Sequence, residues 1–331
     1  MRIDELVSLF EQGRRRHLVL GDADAGVLVG LDLEGRIYAF LDGAVVNRVN
    51  PDAILQQSHA GQYHNPGGDG FWPAPEGSRV GYFYAAGEWR VPPGLSGARY
   101  RVLHQDDKSA AIAAEIDLIN NDGVGVPVEF QRDISVESSP DAMTLTVGDS
   151  IRYLGKALLR QGDARIAPWT LSQFDTSAGM EVVFPGVPEA CVFDLYDPAD
   201  ELRWGDGDRW HVKTEGGTRF QIGLAPQVDW IELHIPQRNP STGSFDVAQD
   251  RSGQALRIRR CSDPAPDGWS YADIADRPPQ EPPADAPTRY SIYNDATDFM
   301  EIEAAGPCLT EFAPGAAIGH RVVTEFRCGQ P

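Results

Sequence analysis

"VEFQRDISVESSPDAMTLTVGDSIRYLG", residues 128–155, reads as two extended segments joined at a turn. Within the second, "TLTV" alternates polar and apolar side chains with the period of two that a half-buried strand requires. Between them, "SSPDA" gathers the Ser, Pro and Asp that set up turns. A strand, a turn and a strand of this kind define an antiparallel pair.

The same pattern extends in both directions. "GVLVGLDLEGRIYAFL", "AAIAAEIDLIN", "TRFQIGLA", "DWIELHIPQ", "QALRIRRC", "RYSIYND", "FMEIEAAG" and "HRVVTEFRC" are short and bounded by Gly, Pro, Asp or Asn. Most are rich in β-branched or aromatic residues. Alternation is clear again in "LRIRR" and blurred elsewhere, as happens when strands are covered on both faces. With 34 glycines and 25 prolines, the chain is punctuated by turns throughout. No repeat of fixed period is present. The reading is all-β: a large antiparallel sandwich of stacked sheets.

Two segments depart from the pattern. Ile3, Leu6, Val7 and Phe10 share one helical face, with Asp4 and Glu5 in the first turn and Arg14–Arg16 expected in the last. Residues 1–20 are therefore expected to form a helix packed on the outside. Residues 262–288, "SDPAPDGWSYADIADRPPQEPPADAPT", hold seven prolines. Only about forty residues follow, too few for a separate domain, so they are expected to return and complete the sandwich. The stretch is then an excursion, or a lid, on a single domain spanning 21–331. Length alone would suggest about two domains, but all-β chains of this size fold as one unit.

The formal charge of −20, from 49 acidic against 29 basic residues, argues against nucleic acid and against an anionic membrane surface. No apolar run approaches the roughly 20 residues of a membrane span. The N-terminus has acids where a secretory signal would be apolar. Cys191, Cys261, Cys308 and Cys328 are far apart and form no CxxC. Together these features predict a cytoplasmic protein with reduced thiols. The oligomeric state is left open. There is no GxSxG, phosphate-binding loop or dinucleotide fingerprint, so no cofactor is expected.

"FMEIEAAGPCLTEFAPGAAIGHRVVTEF", 299–326, resembles the closing strand–turn–strand of galactose mutarotases and their relatives. The segment 128–155 and "EGRIYAFL" resemble other strands of that fold. "GGDGFWPAPEG", "APWTLSQF", "FQIGLAP" and "MEIEAAGP" are similar to stretches in bacterial domains of unknown function within this superfamily. The resemblance covers most of the chain from about residue 25. It implies the mutarotase-like β-supersandwich, a carbohydrate ligand, and Glu303 as the matching position for the catalytic base. In mutarotases a loop histidine followed by glycines reaches the sugar; here His64 is followed by "NPGGDGF", a shifted counterpart. Where the family carries its second histidine, the acid for the ring oxygen, this chain has "APWTLSQF", with Trp169 near the position.

The residues themselves add candidates. Glu301 lies two before Glu303 and so points to the same face of a strand; two acids side by side raise one carboxyl's pKa. His59 and His64 fall in "SHAGQYHNPGG", a loop by composition, and either is a candidate acid. A metal held by the pair with Glu76 fits no standard spacing, and none is expected. Trp72 and Trp169 are candidates to stack on a pyranose, although core packing is the default for Trp. Arg79, Arg132 and Arg165 are candidates to grip hydroxyls or a sugar carboxylate. The leading expectation is an epimerase-like acid–base catalyst. The alternative is a carbohydrate-binding or regulatory module that lost the acid. A lyase or hydrolase role ranks below both.

Overall fold

A computed structural model of the chain describes every residue except 57, 59–61, 140–141, 161, 237–254, 285 and 329–331. Among the described residues, two ten-stranded sheets carry the fold, and every strand pairing in them is antiparallel. The first sheet runs His17–Gly21, Ala25–Gly30, Arg36–Leu41, Asp69–Ala74, Ala167–Asp175, Phe299–Ala305, Tyr290–Asn294, Phe220–Leu224 and Val192–Asp194, with Ala44–Val45 beside Arg36–Leu41. The second runs Arg203–Gly205, Arg209–Lys213, Glu181–Pro185, Ile231–Ile235, Leu256–Ser262, Ala317–Cys328, Ala142–Tyr153, Gly125–Ser139, Ser109–Ile119 and Arg101–Gln105. The segment that opened the sequence reading forms the longest strand pair, with Ile134 opposite Val147.

Alternation decides what fills the space between the sheets. Along Gly125–Ser139, Val128, Phe130, Ile134 and Val136 all point inward and are buried. They meet Phe71, Ile302 and Ile292 from the first sheet in one apolar core. The strands after the proline-rich segment return to central positions. Tyr290–Asn294 and Phe299–Ala305 lie mid-way across the first sheet, and Ala317–Cys328 lies between two strands of the second. Burial of their inward faces ties the end of the chain into the core.

A set of charged groups sits in that core. Arg132 takes an inward position in the same apolar row and is fully buried. Its guanidinium binds Asp69 at 2.7 Å and Asp149 at 2.8 Å, and donates to the carbonyl oxygens of Gly35 and Asp69 at 3.0 Å. Arg260 binds the other oxygen of Asp69 at 2.7 Å and donates to the Thr170 hydroxyl at 2.7 Å. Two guanidiniums thus face two carboxylates across the sheet interface. Burial opposes ionisation of Asp69, yet Arg260 and Arg132 hold its carboxyl below the usual range. Burial prevails at Asp149, pushed up to about 6. The neighbouring His320 is buried among these guanidiniums and pushed down to about 3, so its imidazole is neutral.

The N-terminal helix is shorter than the sequence implies. It spans Ile3–Gln12, and Leu6 and Phe10 pack with Leu28, Tyr38 and Ile54 on the outward side of the first sheet. The chain turns at Gly13 and Arg14, the latter at φ 52°, so Arg14–Arg16 fall beyond the last turn. Arg15 instead donates to the carbonyl of Ile54, 3.0 Å away at the end of the short helix Pro51–Leu55. Residues 17–20, read as part of the helical segment, belong to the edge strand His17–Gly21.

The proline-rich excursion folds back onto the loop after Ala74. The amide of Ser78 donates to Arg277 O at 2.9 Å, and that of Arg79 to Glu281 O at 2.8 Å. Tyr84 donates its hydroxyl to Asp276 at 2.7 Å. Ile274 is fully buried beneath it. Among the described residues no helix is long and apolar enough to cross a membrane.

Removing Arg132 leaves a buried carboxylate of the charge set unpaired. Arg132→Met is expected to lower the unfolding free energy by about 3–5 kcal/mol in urea titrations, because Asp149 loses its only cation among the described residues and Asp69 one of two. Arg79→Ala, which breaks a half-exposed pair with Asp122, is expected to change it by about 1 kcal/mol or less.

Candidate functional site

The outward side of the first sheet carries polar side chains where a covered strand would carry apolar ones. Along Phe299–Ala305, Glu301 and Glu303 face outward while Ile302 and Ala304 face the core. Register sets their neighbours. Glu301 lies opposite Gln173 on one side and Tyr293 on the other, and Glu303 opposite Leu171 and Ser291. Gln221 stands opposite Tyr293, and Trp72 opposite Trp169. Five adjacent strands therefore present one continuous patch.

Above the patch is a cleft of about 400 Å³, within the range of small-molecule sites. Trp72, Trp169, Leu171, Gln221, Tyr293, Glu301 and Glu303 line its floor, and Asn65, Glu76, Trp89, Tyr196, Arg219, Asp276 and Phe299 its rim. Trp72 and Trp169 meet edge to face with ring centres 6.1 Å apart. Behind Trp72, the buried Arg36 guanidinium lies 5.6 Å from its ring. Gly70 makes room for that arginine: a Cβ there would sit 2.5 Å from Nη1. Arg36 is neutralised by Glu34 at 2.8 Å.

Glu303 is 1% exposed. Its carboxylate accepts hydrogen bonds from Trp169 Nε1 at 3.0 Å, Gln221 Nε2 at 3.1 Å and the Ser291 hydroxyl. Burial and the adjacent charge of Glu301 push the Glu303 carboxyl well above the usual range, while the Ser291 and Trp169 donors act against this. Glu301, raised by burial, accepts from Gln173 Nε2 at 2.6 Å. Side by side on one face of the strand and both raised, the two carboxyls favour keeping one proton on the pair. At the rim, Trp89 Nε1 donates to Glu76 at 2.6 Å. Burial and the charge of Asp276 push Glu76 up to about 8; burial raises Asp276 as well. A floor that keeps a proton beside an ionised carboxylate, walled by indoles, can exchange protons with a flat, hydroxylated ring.

Of the residues singled out from sequence, Glu303, Glu301, Trp72 and Trp169 come together here. Arg132 does not reach the cleft, because its strand position sends it between the sheets, where its guanidinium hydrogen-bonds to Asp69, Asp149 and the backbone carbonyls of Gly35 and Asp69. Arg79 lies at the surface with Asp122. Arg165 is half-buried outside the lining, and its carbonyl accepts from the Tyr82 hydroxyl at 2.7 Å. His64 precedes the rim residue Asn65 but is not in the lining; its amide donates to Ser58 Oγ at 3.1 Å. His59 lies outside the described residues. Among the described residues no three His, Cys, Asp or Glu side chains converge as a metal site.

The stretch from Asp69 to Ala74, which reads as a turn-rich loop, is a central strand buried along its whole length. Its neighbour Arg36–Leu41 pairs with it only at Ile37–Asp69, so Pro73 faces little of a ladder on that side. Tyr196, Arg219, Gln221, Asp276, Tyr293 and Phe299 were not read as site residues. Gln221 had a local signal, an amide between Phe220 and Ile222 in an apolar strand. Asp276 had none, since only the docking of the excursion brings it to the rim.

No curated protein matches this sequence. A solved galactose mutarotase-like protein from Lactobacillus casei superposes with a TM-score of 0.51 at 9% identity, over 95% of this chain and 100% of that one. A putative aldose 1-epimerase from Klebsiella pneumoniae gives 0.51 at 10% identity, over 92% of this chain and 77% of the other. At these identities the likeness is one of fold, and the fold is the galactose mutarotase-like β-sandwich. The profile of a family of unknown function, DUF6786, matches residues 7–230. That match contains Trp72, Glu76 and Trp169 and stops before the strand bearing Glu301 and Glu303. Because it spans more than half of the sequence, the chain belongs to the DUF6786 family.

Proposed function

We propose that the cleft binds a sugar or sugar-like ring and that Glu303, with Glu301 beside it, exchanges protons with the ring. The single observation behind this reading is a deeply buried carboxyl, held by three neutral donors, on the floor of an indole-walled cleft. Opening a hemiacetal requires removal of the proton on O1 and protonation of the ring oxygen as the bond between C1 and that oxygen breaks. The carboxylate of the pair takes the first proton and the shared proton goes to the ring oxygen, so charge balances within the dyad. Ring closure on the other face reverses the transfers. The apolar face of a pyranose stacks on Trp72, Trp89 or Trp169, and its hydroxyls meet Gln221, Asn65 and Arg219. The names of the two solved proteins, mutarotase-like and putative aldose 1-epimerase, are consistent with this class.

A second reading, a carbohydrate-binding module without turnover, is favoured by the lining itself: among the described residues it contains no histidine. The two separate on one substitution. Glu303→Gln is expected to reduce anomer exchange, followed by NMR saturation transfer, by about a hundredfold or more, while affinity measured by calorimetry stays within about threefold. Binding of a sugar without any acceleration of its anomer exchange by the unaltered protein would establish the binding module instead.

Trp89 tests the wall from the rim, where it is 42% exposed. Trp89→Ala is expected to weaken sugar binding about tenfold, the contribution of one aromatic face, with a small drop in melting temperature as Glu76 loses its indole donor and Phe83 its stacked neighbour. Trp169→Phe keeps a ring and removes the indole donor to Glu303. It is expected to lower exchange more than affinity, because a donor that favours the carboxylate is lost.

A further inference from the structure

Among the described residues, the buried carboxylates outside the cleft have arginine partners, and those of the cleft do not. Asp69 and Asp149 meet Arg132, Glu34 meets Arg36, Asp273 meets Arg277, and Glu232 meets Arg259. By contrast, Glu76, Asp276, Glu301 and Glu303 have no ion pair among the described residues, and their hydrogen-bond donors are Trp89, Tyr84, Gln173, Trp169, Gln221 and Ser291, all neutral. Arg219 is the one cation of the lining. It lies over the rings of Tyr196 and Tyr293, 4.5 and 6.0 Å from their centres, and forms no ion pair among the described residues.

Two further atoms of the lining lack partners among the described residues. Gln221 is 2% exposed and lines the floor; its amide nitrogen binds Glu303, while its carbonyl Oε1 accepts from no described residue. Trp72, also in the lining and 7% exposed, has an indole N–H that donates to no described residue. A buried acceptor and a buried donor left open cost stability unless something binding in the cleft satisfies them. An acidic cleft with an unpartnered acceptor and aromatic walls is complementary to a ligand that is cationic, donor-rich and hydroxylated.

We infer that the ring ligand carries a protonated amine, so that the cleft selects amino sugars over neutral hexoses, with the ammonium held at the Glu76–Asp276 side of the rim. The inference rests on the cleft being the sugar site. It assigns the missing positive charge to the ligand. Glu301 and Glu303 remain on the floor for proton exchange, and Glu76 and Asp276, reaching the rim from the loop after Ala74 and from the proline-rich excursion, recognise the charge. The high Glu76 carboxyl accords with this: it holds its proton while the cleft is empty, and an arriving ammonium makes it ionise.

The test is calorimetry at pH 7 with D-glucosamine, D-galactosamine and D-mannosamine, each beside its parent hexose and its N-acetyl derivative, with calcium chloride alone as a further titrant. At least one amino sugar is expected to bind about tenfold or more tightly than both its parent and its N-acetyl form. Its binding is expected to release protons, seen as an enthalpy that changes between buffers of different ionisation enthalpy. Glu76→Gln and Asp276→Asn are each expected to reduce the ratio of amino-sugar to parent-hexose affinity to about threefold or less and to abolish the buffer-dependent part of the enthalpy. Parent hexoses binding as tightly as the amines would overturn the charge assignment and leave the sugar reading standing. Binding of none of the sugars would overturn both. Calcium binding in the cleft, without a preference for amines, would assign the missing charge to a metal and overturn the inference.

Discussion

Alternation along five adjacent strands of the first sheet is the constraint from which the site follows. Asp69, Phe71, Thr170, Ile302, Ile292 and Ile222 point to the second sheet; Trp72, Trp169, Glu301, Glu303, Tyr293 and Gln221 point away from it. A slip of one residue in any of these strands would exchange the two sets. Phe71, Ile302, Ile292 and Ile222 cannot be exposed without losing their burial, and Glu301 and Glu303 would enter the core without the arginine partners that Asp69 and Asp149 have there, so the register is held from both sides. The cleft is the outer half of the same pleat that makes the core.

The two halves handle buried charge differently. Between the sheets, Arg132 and Arg260 face Asp69 and Asp149, and no net charge remains in that set. Replacing either bridging member, Arg132 or Asp69, would leave a buried charge without its counterion, so the set specifies how the sheets dock. In the cleft, carboxyls are buried with neutral donors only, and their proton affinity rises. Burial is common to both places. The presence or absence of an arginine separates a structural group from one poised to move a proton.

The cleft is completed by parts of the chain far apart in sequence. Its floor takes strands from residues 69–74, 167–175, 220–224, 290–294 and 299–305. Its rim takes the loop after Ala74 and the proline-rich excursion, which hydrogen-bond to each other through Ser78, Arg79, Arg277 and Glu281. Prolines fit this excursion because its backbone pairs at scattered points and needs no continuous ladder of N–H donors. The excursion is thus a wall element that brings Asp276 to the rim.

Local sequence was enough to identify the strands, the all-β class and the helix at the N-terminus, because period and turn chemistry are short-range properties. Resemblance then marked Glu303, and the pleat placed Glu301 beside it. Asp69–Ala74 does not look like a strand in the sequence because its glycine and proline answer to neighbours: Gly70 to the Arg36 guanidinium, Pro73 to a side with little pairing. Arg132 looked like a ligand-binding arginine, and only the position of Asp69 and Asp149 across the sheet interface shows it to be structural. Arg219, Tyr196 and Asp276 reach the cleft through loop docking, for which no local pattern exists. Which residues alternate is written in one strand; which charges meet depends on contacts between residues tens to hundreds of positions apart, and only the folded chain brings those together.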